Sequence, residues 1–162
     1  MNHATRLVNL FFTASVTLTS VNMERVGTIF HTLDTQTQCA ITADILDSNA
    51  TIQEKDRVMR LFLGRYQLGT KRQLKNPAYL HENMPKVKKF ACILSVLLEH
   101  KEFQTPLPVK PLYKFLNDGE HSASQKTLRI KLYNKSDLSP AQIDLFVYLF
   151  TQELVKFDKN TA

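Results

Sequence analysis

Two observations predict an all-α fold. Apolar residues recur in steps of three and four along most of the chain, and helix-starting and helix-stopping residues bracket those stretches. Only four glycines and no long polar tract argue against a large disordered segment. The expected architecture is a helical N-terminal subdomain over residues 1–70, a linker or loop over 71–85, and a basic C-terminal helical unit over 86–162, with a short strand or wing as an option near 128–133.

Each element has its own signal. Ala4, Leu7, Val8, Phe11, Ala14, Leu18 and Val21, then Val26, Ile29, Phe30 and Leu33, mark one buried stripe. Thr and Val between 13 and 21 lower helix propensity and leave a strand open there, and Gly27 either separates two helices or weakens one. A short helix is expected from Cys39 to Asp47, closed by Ser48 and Asn49. Thr51-Ile52-Gln53-Glu54 fits a capping box before the stripe Val58, Leu61, Phe62 and Tyr66, with Gly69 as the expected C-terminal stop. Asn76-Pro77 and Met84-Pro85 read as breakers, hence the linker. Lys86 to His100 carries a 3.6-residue period through Val87, Phe90, Ala91, Leu94, Leu97 and Leu98. Pro111 suits the first turn of a short helix with Leu112, Phe115 and Leu116 inside. Ser139-Pro140 opens a final helix on Ile143, Phe146, Val147, Phe150, Leu154 and Phe157.

Composition narrows the class. Cys39 and Cys92 lie in apolar stretches without partner spacing, which suits reduced buried thiols rather than a disulfide framework or a zinc site. Polar residues from Asn9 to Thr19 interrupt the apolar run Leu7–Val21, so neither a signal peptide nor a bilayer span is expected, and a cytoplasmic location follows. Charge is uneven. Residues 1–69 are neutral, with six Lys/Arg against six Asp/Glu; residues 70–135 hold thirteen against five; residues 136–162 hold two against four. A basic middle is the asymmetry expected of a surface that meets a polyanion.

Within that middle, Ser122 to Lys135 carries the chemistry. As a helix it starts at Ser122, with Gln125 completing a capping box, Leu128 and Leu132 inward, and Gln125, Lys126 and Arg129 on an outer face. Amide and guanidinium forks suit base edges and lysines suit phosphates, and the N-terminal half of such a helix, Ser124 to Arg129, is where reading falls. The strict alternation Leu128-Arg129-Ile130-Lys131-Leu132 also fits a half-buried strand. Residues 127–139 resemble the recognition helix, turn and following helix of phage-repressor-type helix-turn-helix proteins; the resemblance covers residues 107–157. It implies that Leu112 to Leu116 lies in the first helix of the motif and that homodimers bind two half-sites of double-stranded DNA. The segment 117–123 then forms the connection, longer than the usual three- or four-residue turn.

Catalytic patterns are absent. The five histidines are scattered, no Gly-rich phosphate loop occurs, and Asp44/Asp47 and Glu99/Glu102 are the only close acidic pairs of note. No enzyme, cofactor or metal site is expected. The leading expectation is a sequence-specific DNA-binding regulator, with phosphate contacts from Lys110, Lys114, Lys131 and Lys135 and base contacts from Ser124, Gln125, Lys126 and Arg129. The alternative is a helical interaction protein docking on an acidic protein or a nucleoprotein assembly, and a third reading stacks single-stranded nucleic acid on Tyr66, Tyr79, Tyr113 or Tyr133.

Overall fold

A computed structural model describes residues 20–118 and 122–161, with side chains from Val26 onward except those of Asp118 and Thr161. Every regular element among them is helical: α1 (Ser20–Thr32), α2 (Thr35–Asp47), α3 (Ile52–Arg65), α4 (Lys71–Leu74), α5 (Pro77–Leu97), a 3₁₀ turn (Lys101–Phe103), α6 (Val109–Asp118), α7 (Ser122–Lys135) and α8 (Pro140–Thr161). The readings of residues 4–19 and of Gly119 lie outside the described residues. Two compact units divide between Cys92 and Ile93, within α5.

In the first unit, side chains set the helix starts. Asp34 accepts a hydrogen bond from the Thr37 amide at 2.7 Å, which opens α2 four residues before the expected Cys39. Thr51 accepts from the Glu54 amide at 3.2 Å, while the reciprocal two-way box forms at Thr70 and Gln73, at 2.9 and 3.1 Å. α1 runs unbroken through Gly27. Cys39, Ile41 and Ile45 of α2, Val58, Met59, Phe62 and Leu63 of α3, and Leu80, Val87, Phe90 and Ala91 of α5 are buried, with Phe62 and Phe90 in an edge-to-face pair 6.2 Å apart. A polar node sits among them. Buried Gln38 donates to the Phe30 carbonyl at 2.8 Å and accepts from the Tyr66 hydroxyl, so one amide ties the end of α1 to the end of α3.

Two expectations need correction here. The stretch 71–85 is not an extended linker: α4 and the first turns of α5 occupy it. Pro77 is the first residue of α5, where a missing N–H costs nothing, and Asn76 Oδ1 accepts from the Ala78 amide at 3.1 Å. Pro85 stands inside the helix at an exposed position, where water can serve the carbonyl that loses its donor. Nor does Gly69 stop α3. The helix ends at Arg65, and Gln67 takes the left-handed conformation at φ 55°. Leu68 N–H bonds to the Leu63 carbonyl at 2.9 Å and Gln67 N–H to the Gly64 carbonyl at 3.3 Å, the paired bonds of a Schellman stop with glutamine where glycine is usual.

The second unit is built on aromatic packing. Phe146 of α8 meets Phe103 edge-on at 5.1 Å, and Phe150 lies 5.6 Å from Phe115 of α6. Ser139 and Gln142 close a reciprocal box at the start of α8, at 2.8 and 3.2 Å. The strand option at 128–133 gives way to helix. A strand would turn Leu128, Ile130 and Leu132 to one face, whereas Leu128 and Leu132 are buried and Ile130 is 52% exposed.

Two outcomes follow. Gln67→Gly should stabilise the protein by about 1 kcal/mol, because glycine adopts the left-handed region without a Cβ penalty; a loss of stability on urea unfolding would refute the Schellman assignment. Burial holds the Tyr66 phenol up at about 12 against an ordinary 10.0. The folded state therefore keeps a proton that the unfolded chain releases. Stability from this group is complete below pH 10 and declines between 10 and 12. Tyr66→Phe should flatten that alkaline decline and cost about 1–2 kcal/mol at neutral pH by leaving Gln38 Oε1 without its donor, as read by unfolding across pH.

Candidate functional site

The second unit contains a cleft of about 500 Å³ between α6 and α7. α6 contributes Lys110, Pro111, Lys114 and Phe115; α7 contributes Ala123, Ser124, Thr127, Leu128, Lys131 and Lys135. Helical spacing explains the grouping. Lys110 and Lys114 are one turn apart on α6, as are Lys131 and Lys135 on α7, so each helix lends two ammonium groups to the same opening. Among the described residues no Asp or Glu lines it. Phe115 and Leu128, both buried, give it an apolar floor. The Thr127 hydroxyl donates to the Ala123 carbonyl at 3.0 Å, which leaves Ser124 as the hydroxyl donor of that wall.

The residues singled out from the sequence divide into two sets. Lys110, Lys114, Ser124, Lys131 and Lys135 come together around the cleft. Gln125, Lys126 and Arg129 do not. Arg129 is turned toward α8, where its Nε lies 3.1 Å from Asp144 Oδ1. Gln125, one turn earlier on the same flank, is half-buried, and Lys126 is exposed on the outward side. Pro111, Phe115, Ala123, Thr127 and Leu128 complete the lining outside the sequence-derived set; the signal for Thr127 is its place one turn before Lys131.

α6 (Val109–Asp118) and α7 (Ser122–Lys135) flank the connection read from the sequence over 117–123, whose residues 119–121 lie outside the described residues. Ser122 is the first described residue of α7, and the residue before it lies outside the described residues.

The other candidates are occupied elsewhere. Lys88 Nζ lies 2.7 Å from Asp47, and this hydrogen bond holds the Asp47 carboxyl below its ordinary range. Burial, with the neighbouring Asp47 charge, pushes Asp44 up. Among the described residues no group of three or more His, Cys, Asp or Glu is placed to hold a metal ion. Cys39 is buried and its thiol is pushed far up by desolvation, which removes its nucleophilic form, whereas Cys92 is half-buried rather than enclosed. Tyr113 is buried, and Tyr66 and Tyr79 are half-buried with hydroxyls directed at Gln38 and at the Leu68 carbonyl, so of these four candidates Tyr133, at 65% exposure, is the one that presents a ring for stacking. No helix among the described residues is long and apolar enough to cross a membrane.

Because Arg129 and Asp144 both keep substantial exposure, their bridge adds little stability. Arg129→Ala should change unfolding free energy by less than about 1 kcal/mol; a larger loss in thermal unfolding would mean that Arg129 holds α7 against α8 structurally. Comparison of the chain with protein families, with curated proteins and with solved structures finds no match.

Proposed function

We propose that the second unit binds double-stranded DNA, in the manner of a helix-turn-helix regulator, with α6 as the first helix and α7 as the reading helix. The observation that carries this reading is the gathering of Lys110, Lys114, Lys131 and Lys135 around one opening. Phosphates supply most of the affinity in such complexes, and lysine is their point-charge partner. The order of the helices adds support, since α6 directly precedes α7 in the chain, as the first helix of such a motif precedes its reading helix. So does the composition of α7, which carries Lys126, Arg129, Lys131 and Lys135 and no acidic residue.

Base contacts in this reading come from the N-terminal half of α7, where Lys126 is exposed and Ser124 and Gln125 are half-buried. Arg129 reaches a base only by leaving Asp144 or by using the edge of its guanidinium away from Nε. Reading two half-sites requires a homodimer, for which the exposed Leu145, Tyr148 and Val155 on α8 offer apolar area.

The test is salt dependence. If all four lysines neutralise phosphates, the logarithm of the association constant for a duplex should fall with the logarithm of salt at a slope of about −3.6, and Lys114→Ala with Lys131→Ala should reduce that slope by about 2. Fluorescence anisotropy with a genomic and a random duplex reads both. A flat salt response sinks the proposal, and equal, weak binding of both duplexes moves the surface to an acidic protein partner.

A further inference from the structure

A phosphodiester contact needs charge at a surface; it does not need depth or an apolar floor. The α6–α7 cleft adds to its charge an apolar floor in Phe115 and Leu128. Its volume of about 500 Å³ falls inside the range of small-molecule sites, which join an apolar body to a few polar anchors. We infer that this cleft binds a small polyphosphorylated molecule with an aromatic or apolar body, of which nucleoside di- and triphosphates are the representative class. The inference goes beyond the DNA reading: it uses the same four lysines but stands or falls on the cleft's interior.

The chemistry sorts by position. Lys110 and Lys114 on one wall and Lys131 and Lys135 on the other provide four cations for a short phosphate chain, more than a single phosphate group uses. Ser124, in the first turn of α7, adds a hydroxyl on the side where the helix N-terminus also favours negative charge. Phe115, Leu128 and Pro111 offer the body a surface that water solvates poorly. Among the described residues the lining is cationic, hydroxyl-bearing or apolar, which suits the phosphates and the body alike. A ligand so held engages the lysines that duplex phosphates would engage, so the two compete.

The experiment is isothermal titration of the full chain with ATP, tripolyphosphate and adenosine at one ionic strength, with duplex binding measured in parallel. ATP should bind about tenfold more tightly than tripolyphosphate or adenosine, because only it fills both parts of the cleft. Lys114→Glu with Lys131→Glu should weaken ATP by at least about tenfold at unchanged helical content. Both positions are exposed, so folding is not at stake. Thr127→Trp, at an exposed lining position, should block ATP by filling the space. Equal binding of ATP and tripolyphosphate would reduce the cleft to a charge patch and overturn the inference, as would ATP binding weaker than about 1 mM or indifferent to the charge reversal. Duplex binding without ATP binding removes this inference and leaves the DNA reading standing. ATP binding without duplex binding supports this inference and removes the DNA reading.

Discussion

Leu128 and Leu132, one turn apart on α7, set what the second unit presents to solvent. Both are buried, against the helices that flank α7 on either side in the chain. Burying each side chain contributes about 1.5–3 kcal/mol, far more than any surface charge on the same helix. The rotation of α7 about its axis is therefore decided by apolar contact, and the polar residues go where that rotation puts them. Ser124, Thr127, Lys131 and Lys135 fall on the α6 side and form a wall of the cleft; Gln125 and Arg129 fall on the α8 side, where Arg129 meets Asp144. A rotation of one residue's worth, about 100°, would break up the lysine wall.

The two units solve burial differently. The first threads a polar node through its core: Gln38 is enclosed, yet its amide is used at both ends, by the Phe30 carbonyl and by the Tyr66 hydroxyl. Such a node adds direction to packing, because each partner must arrive at a set angle to avoid an unpaired buried group. In the second unit aromatic contacts do this work, with Phe103, Phe115, Phe146 and Phe150 linked ring to ring. Its polar groups are left for the surface, and the cleft collects four of the cationic ones.

Much of this was legible in the sequence. The stripe of α8 and its Ser139-Pro140 start, the Pro111 turn of α6, and the Thr51 cap of α3 all follow from spacing and cap chemistry, and the structure places them there. What escaped has a common cause, which is that a residue's role depends on its neighbours in space. Pro77 and Pro85 resemble breakers in sequence, but one begins a helix and the other sits on an exposed turn. Gly69 offers the natural stop, yet the chain turns at Gln67, because the bonds from Leu68 and Gln67 close the helix there. The lysine pairs on α6 and α7 were visible as residues, with 110 and 114, and 131 and 135, at helical spacing. That they share one opening, while Arg129 turns away, depends on how α7 packs against two neighbours.

The claim on which the rest of the functional account turns is that anions meet this protein at the α6–α7 cleft. The most direct measurement is a backbone amide chemical-shift map of the full, isotopically labelled chain during titration with a short duplex at low salt. Shifts should concentrate between residues 109 and 135, strongest beside Lys110, Lys114, Lys131 and Lys135. Shifts confined to α3 and α4, or absent altogether at saturating duplex, would contradict it.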